Sequence, residues 1–166
     1  MSQADLGRRI WIEFDGIYRD ADVFVNGFFV GNEPGGYLRQ AYDVTDYLNY
    51  GGRNVVAVRV DASMEEGWYY EGAGIYRHAW LDKHDPVHLE RDGVWVRSEV
   101  MEGRSRLVIT TEVTNSTDKD TEVVMGHVLR DASGTSVASV GGKSLEINAG
   151  TTQVNEIRME VEGPRL

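Results

Sequence analysis

The sequence contains no cysteine and no long apolar run. Without cysteine, this chain cannot form a disulfide, use a thiolate nucleophile or bind a metal through sulfur. The lack of cysteine does not indicate the compartment of the protein, because cysteine-free proteins occur inside and outside cells. The apolar runs fall well short of the roughly 20 residues that a membrane helix needs. The sequence therefore predicts no membrane partner.

Positive charge is also scarce. The chain has 17 Lys and Arg against 27 Asp and Glu, which gives a formal net charge of −10. Residues 1–83 hold 8 basic and 13 acidic side chains and residues 84–166 hold 9 and 14, so each half carries −5. Tight binding to a phosphate backbone needs clustered Lys and Arg. We therefore predict no nucleic-acid partner and expect neutral ligands.

Helical periodicity is nearly missing, and alternation of apolar and polar residues takes its place. Strands are predicted in the first half at residues 9–14, 20–30, 54–61 and 75–83. Asn26-Gly27 lies between two apolar runs and predicts a two-residue type I′ hairpin, because both residues accept positive φ. Residues 43–48 alone favour a helix, of a single turn.

The pattern resets at Asp85-Pro86, since proline cannot donate to a sheet ladder. We therefore expect one unit at residues 1–85 and a second at residues 86–166. In the second, short strands are predicted at residues 93–101, 106–114, 121–130, 136–140, 144–147 and 153–161. Turns, including one at residues 141–143, separate them. About seven short strands at this spacing are typical of an immunoglobulin-like sandwich, so the sequence predicts an all-β protein.

Four segments together resemble a known family. FDGIYRDADVFVNGFFVG, YDVTDYL, NVVAVRVD and GWYYEGAGIYRHAWL, at residues 14–31, 42–48, 54–61 and 67–81, resemble in that order the amino-terminal region of glycoside hydrolase family two. This family comprises β-galactosidases, β-glucuronidases and β-mannosidases. The resemblance covers nearly the whole chain and is strongest up to residue 87.

The resemblance implies a fold and a division of labour. Residues 1–85 would be the later part of a jelly-roll, galactose-binding-like β-sandwich, and residues 86–166 an immunoglobulin-like β-sandwich. The catalytic (β/α)8 barrel, with its two glutamates and retaining mechanism, would be absent, because a barrel needs about 250 residues. The chain is then expected to be an inactive, non-catalytic fragment that also lacks the first jelly-roll strands.

The candidate substrate contacts are Asn26 and the aromatic residues Trp68, Tyr69 and Tyr70. The resemblance implies that they lie at the rim of the parent's sugar pocket, where rings stack on a sugar and an amide bonds to its hydroxyls. The alternatives are that Asn26 serves only the turn, and that the rings pack against the missing barrel or another subunit. Some family members carry an acidic sugar contact where this chain has Trp68, so the sugar specificity stays open.

Arg77 is expected to be a structural anchor that binds a buried carboxylate or carbonyl groups, with Asp15 and Asp20 as candidate partners. No catalytic residue is predicted. The acids of the aromatic segment are expected to be solvated: Glu65, Glu66 and Glu71. No metal site or cofactor is predicted either, because Pro86 separates His84 from His88.

Two functions stay open. The favoured one is the non-catalytic amino-terminal part of a β-glycosidase of β-galactosidase type. Its partners would be a neutral saccharide and the missing barrel and amino-terminal strands of the same polypeptide. The alternative is a stand-alone carbohydrate-binding or adhesion module of two β-sandwiches. Because a jelly roll without its first strands leaves open sheet edges, we also expect self-association.

Overall fold

The computed structural model describes residues 1–63 and 72–164 of the chain. They fall into two compact units, Met1–Asp85 and Pro86–Leu166. Both units are built from strands, which confirms the prediction of an all-β protein. The described helical segments are two 3₁₀ turns, Gln3–Asp5 and Thr45–Tyr47. None of the described helices is long and apolar enough to cross a membrane.

The described residues of the first unit form two three-stranded sheets and one short strand pair, all antiparallel. Its strands are β1 (Arg9–Phe14), β2 (Ile17–Tyr18), β3 (Ala21–Val25), β4 (Phe28–Glu33), β5 (Gln40–Asp43), β6 (Val56–Val60), β7 (Gly74–Ile75) and β8 (Ala79–His84). The sheet orders are β5-β1-β8, β4-β3-β6 and β2-β7. The predicted strand at residues 75–83 is thus two strands, because β7 pairs with β2 whereas β8 pairs with β1.

The core of this unit comes from the central strands of the two larger sheets. Successive side chains of a strand point to opposite faces, so alternate residues can be buried together. The buried side chains are Ile10, Ile12 and Phe14 of β1, Ile17 of β2, Ala21, Val23 and Val25 of β3, and Val44. Fully burying each large aliphatic side chain contributes about 1.5–3 kcal/mol. The two sheets are therefore held face to face as a sandwich.

The predicted hairpin between β3 and β4 is confirmed. Val25 pairs with Phe28, so Asn26 and Gly27 form a two-residue loop. Their φ angles are 50° and 88°, both positive, as a type I′ turn requires.

The described residues of the second unit, 86–164, form five long strands instead of about seven short ones. They are β9 (Val87–Met101), β10 (Arg104–Asn115), β11 (Thr121–Arg130), β12 (Ser136–Ile147) and β13 (Thr151–Glu162). The sheet orders are β13-β10-β9 and β11-β12. Val113, Met125 and Ile147 form the buried cluster. Because they come from β10, β11 and β12, they join the two sheets into a β-sandwich.

The predicted turn at residues 141–143 is wrong, because β12 continues through it. Met125 pairs with Lys143 but Gly126 pairs with Gly141, so Gly142 is an extra residue in β12. Its φ is 84°. One extra residue of this kind, with a glycine at positive φ, is a β-bulge. A Cβ on Gly141 would lie 2.9 Å from the Cα of Gly126, which explains the glycine at that close approach.

Candidate functional site

The candidate site lies at one end of β3. Ala21, the first residue of β3, pairs with Glu33 of β4 and with Val60 of β6. The chain enters this end through Tyr18, which pairs with Gly74 of β7. Four segments that are distant in sequence therefore meet here, and their loops can share one surface.

These loops enclose an aromatic cleft of about 280 Å³. We call it the tyrosine cleft, after the three tyrosines among the residues that line it: Tyr18, Tyr37, Gly72, Ala73, Gly74 and Tyr76. The rings of Tyr18 and Tyr37 meet edge to face, with centroids 5.8 Å apart. The Tyr76 hydroxyl donates a hydrogen bond to the Gly36 carbonyl at 2.8 Å. Tyr37 is 71% exposed, so one ring of the cleft faces solvent.

Two glycines let the tyrosine rings lie directly on the backbone. A Cβ on Gly36 would be 2.3 Å from Cδ2 of Tyr18, and a Cβ on Gly16 would be 2.8 Å from Cζ of Tyr76. Any larger residue would displace the ring that it meets. The shape of the tyrosine cleft therefore depends on glycine at both positions.

The described lining of the cleft is uncharged, and two arginines lie beside it. The guanidinium of Arg77 lies 5.2 Å from the ring centroid of Tyr76, and that of Arg19 lies 5.9 Å from the centroid of Tyr18. Both distances are within the range of cation–π attraction. Among the described lining residues none carries a carboxyl group.

The candidate partners of Arg77 have other contacts. Asp15 accepts a hydrogen bond from Trp80 Nε1 at 3.0 Å, and Asp20 accepts one from Asn32 Nδ2 at 3.1 Å. Arg77 itself is exposed and lies over Tyr76. Its role as an anchor stays a prediction, and the structure offers this ring as the neighbour through which it would act.

Trp68, Tyr69 and Tyr70 lie outside the described residues, but the structure describes both flanks of their segment. On one side, Asp61 accepts hydrogen bonds from the hydroxyl and the backbone N–H of Ser63, at 2.6 and 3.0 Å. These bonds lower the pKa of Asp61. On the other side, Gly72 lines the tyrosine cleft. Both flanks are thus at the cleft end of β3.

Asn26 lies at the opposite end of β3 from the cleft. Its Nδ2 donates to the Tyr47 carbonyl at 2.7 Å and to Asn54 Oδ1 at 2.8 Å, and its Oδ1 accepts from the Val55 N–H at 2.9 Å. The structure therefore does not bring Asn26 together with the flanks of the aromatic segment. Its substrate role stays a prediction, and its amide ties the hairpin to the loop before β6.

Sequence reasoning missed the three tyrosines of the cleft as site residues. Tyr18, Tyr37 and Tyr76 are far apart in sequence, and only the strand pairing assembles them. A local signal existed, because Tyr37 follows Gly35-Gly36 and Tyr76 follows the Gly-Ala-Gly run. Across the described residues, no group of three or more His, Asp or Glu side chains could hold a metal ion.

The described residues define an all-β protein of two sandwich units, the first with a surface cleft whose described lining is aromatic and uncharged. Residues 1–118 match the sequence model of the family described as glycosyl hydrolase 2 galactose-binding domain-like. The chain belongs to this family, and the resemblance predicted from its four segments is confirmed.

Individual relatives agree with the family. A β-galactosidase of Bacteroides ovatus is 39% identical over 168 residues, which cover 100% of this chain and 20% of that protein. A β-glucuronidase of Formosa agariphila is 26% identical over 98% of this chain and 19% of its own length. A glycosyl hydrolase family 2 member from Bacteroides cellulosilyticus superposes with a TM-score of 0.93 at 29% identity, covering 100% of this chain and 23% of that one. The chain thus spans about one fifth of these relatives and matches their non-catalytic amino-terminal part.

Proposed function

We propose that this chain is a non-catalytic scaffold of a retaining β-glycosidase of β-galactosidase type, and that it hydrolyses no glycoside by itself. The observation that carries the proposal is the 39% identity to the Bacteroides ovatus β-galactosidase along the whole chain, which is only 20% of that enzyme. The catalytic machinery would then lie in another part of a longer polypeptide.

The chemistry of the described residues supports the lack of activity. A retaining glycosidase needs two carboxyl groups about 5–5.5 Å apart, one as acid/base and one as nucleophile. The described lining of the tyrosine cleft consists of tyrosine, glycine and alanine. A tyrosine hydroxyl can bind a sugar hydroxyl, but none of the described lining residues has a carboxylate that could attack the anomeric carbon.

Activity is tested directly on the purified chain. We expect no release of nitrophenol from 4-nitrophenyl β-galactoside or β-glucuronide above the rate in buffer. Turnover that co-purifies with the chain and scales with its concentration would refute the non-catalytic role. A retaining mechanism is tested in the longer enzyme, where NMR of the first product should show the β-anomer before mutarotation.

We further propose that the tyrosine cleft contributes to binding a neutral saccharide. Its volume is about 280 Å³, close to the lower end of the roughly 300–1,000 Å³ of small-molecule sites. The exposed ring of Tyr37 can stack on the apolar face of a sugar, and its hydroxyl reaches the polar edge. The uncharged side chains of the described lining and the overall charge of −10 favour a neutral ligand over an acidic one. Trp68, Tyr69 and Tyr70 would add to the rim of the cleft, because both flanks of their segment lie there.

The specific observation that favours the second function, a stand-alone binding module, is that the described residues of this chain form the cleft by themselves. Calorimetry with methyl β-galactoside decides between the two. Binding by the isolated chain that Tyr37→Ala abolishes and Tyr47→Ala leaves unchanged would support a module, since Tyr47 is also exposed but lies at the other end of the unit. No heat at millimolar sugar, with saccharide binding in the longer enzyme, would support the scaffold.

A scaffold must also contact the catalytic part, and we propose that the β3–β4 hairpin supplies some of that surface. Phe28 and Phe29 are 59% and 55% exposed. Each ring also has an aromatic neighbour: the ring centroids of Phe28 and Tyr47 are 5.6 Å apart, and those of Phe29 and Phe24 are 5.6 Å apart. Exposed apolar patches of this kind mark interaction surfaces. In the longer enzyme, Phe28→Ser with Phe29→Ser should loosen domain packing and lower its melting temperature more than that of the isolated chain.

A further inference from the structure

Strand β9 is an open sheet edge in the second unit. It pairs with β10 on one side, and no strand of residues 1–63 or 72–164 pairs with its other side. Its later half is exposed on both faces: Trp95 is 75% exposed on one face, and Val96 and Val100 are 53% and 51% exposed on the other. An edge strand with unpaired backbone groups and exposed apolar side chains is a template for another strand.

We propose that β9 pairs antiparallel with β9 of a second copy of this chain, around a two-fold axis at Ser98. In this register Ser98 lies opposite Ser98 of the second copy. Arg97 then lies opposite Glu99, Val96 opposite Val100, and Trp95 opposite Met101, each pair occurring twice. Such a self-complementary pairing is the geometry of an isologous dimer interface. The two three-stranded sheets would become one six-stranded sheet.

Charge selects this register over its neighbours. A shift that moves the axis to Arg97 places Arg97 opposite itself, and a shift to Glu99 places Glu99 opposite itself. Like charges directly opposite each other destabilise a strand pair. A register shifted by half as much would place Val96 and Val100, on one face of β9, opposite residues of the other face, which carries Arg97 and Glu99. Only the axis at Ser98 combines two Arg–Glu pairs with two Val–Val pairs.

The charges already present on the sheet extend into this pairing. On the outer face, Glu160 of β13 contacts Arg106 of β10 at 2.7 Å, and Arg106 contacts Glu99 of β9 at 3.8 Å. Arg97 of the second copy would come next, so the signs alternate across the interface. Arg97 and Glu99 are 68% and 47% exposed in their side chains, and both can reach a partner.

Cysteine cross-linking tests the axis, because the chain contains no cysteine of its own. Residues directly opposite each other in antiparallel strands have Cα atoms about 4.5 or 5.5 Å apart, within the roughly 4.4–6.8 Å of a disulfide. Ser98→Cys should therefore give a covalent dimer on mild oxidation. Val96→Cys is the matched control on the same face. Its two thiols would be about 13 Å apart along the strands, out of reach of a disulfide, so we expect roughly tenfold less covalent dimer.

Charge exchange tests the register without cysteine. By sedimentation, the unmodified chain should be a dimer whose dissociation constant rises in Arg97→Glu and in Glu99→Arg. The double variant Arg97→Glu with Glu99→Arg restores opposite charges across the axis and should associate more tightly than either single variant, but not fully, because Arg106 lies beside position 99 in the same sheet. Circular dichroism of each variant separates loss of pairing from loss of fold.

Three results would overturn the proposal. One is an unmodified chain that sediments as a monomer at all concentrations. The second is equal cross-linking from the cysteines at positions 96 and 98, which would indicate random collision. The third is a folded double variant that stays as weakly associated as the single ones. The first result would leave the edge to a strand from elsewhere in a longer polypeptide.

Discussion

The amide of Asn26 should stabilise the first unit by a measurable amount. Replacing Asn26 with glycine removes three hydrogen bonds, to the Tyr47 carbonyl, to Asn54 Oδ1 and from the Val55 N–H, and keeps the positive φ of 50° accessible. Each bond contributes about 0.5–1.5 kcal/mol net, and the lower half of that range applies because solvent reaches this turn. The expected loss for Asn26→Gly is roughly 1.5–3 kcal/mol. Asn26→Ala should lose about 1 kcal/mol more, because alanine resists positive φ.

Urea unfolding measures this loss, provided that the signal comes from the first unit alone. Of the four tryptophans, only Trp95 lies in the second unit, so fluorescence in a Trp95→Phe background reports on the first. The transition midpoint should fall with an unchanged m value. Asn49→Ala is the control, since its exposed side chain makes a single long bond of 3.4 Å to the Arg53 carbonyl, and its change should stay within about 0.5 kcal/mol. An Asn26→Gly variant as stable as that control would refute the structural role.

Three further predictions concern packing, charge and backbone. Gly36→Ala places a Cβ 2.3 Å from the Tyr18 ring, so urea unfolding should show a loss of about 1–3 kcal/mol from overpacking; no loss would mean that the ring moves freely. The hydrogen bond from Lys83 lowers the pKa of Asp5. The stabilisation by this hydrogen bond should therefore be present above the unfolded pKa of about 3.9 and be lost as pH falls through the lowered pKa of Asp5. In urea unfolding, Asp5→Asn should remove this loss of stability at acid pH, and an unchanged pH profile would refute the prediction. Gly142→Ala, at φ 84°, should destabilise the second unit by about 1 kcal/mol or more. Hydrogen exchange should then be faster at the protected amides of β11 and β12, and unchanged exchange would argue against the bulge.

Local signals predicted local structure well. The Asn26-Gly27 hairpin follows from two adjacent residues that accept positive φ between two apolar runs, and the structure has that turn. The same signal misled at Gly142, because a glycine at positive φ suits a turn and a bulge equally. What decides between them is whether the partner strand keeps pairing. Gly126 of β11 continues the pairing with β12, and it lies 16 residues before Gly142 in the sequence.

The sequence alone could not predict which distant segments pair with each other. Residues 75–83 read as one alternating strand, yet Ile75 pairs with Ile17 and Ala79 with Phe14, because two different partners take its two ends. The tyrosine cleft has the same origin. Tyr18 and Tyr76 become neighbours only after β2 and β7 pair, so periodicity within either segment carries no trace of the cleft. The four segments did identify the family, because their order along the chain can be recognised without knowing which residues are in contact.

The two ends of β3 separate the candidate substrate contacts into two kinds. β3 has five residues, so its first and last Cα atoms, four rises apart, are about 13 Å from each other, more than the length of one sugar ring. A single sugar ring in the tyrosine cleft would thus not touch Asn26 as well. For Asn26 to bind a substrate through Nδ2, it would have to give up its bonds to Tyr47 or Asn54. The free energy of unfolding that Asn26→Gly loses therefore also measures the stabilisation that a substrate contact at this position would have to offset. A large loss assigns the Asn26 amide to the hairpin.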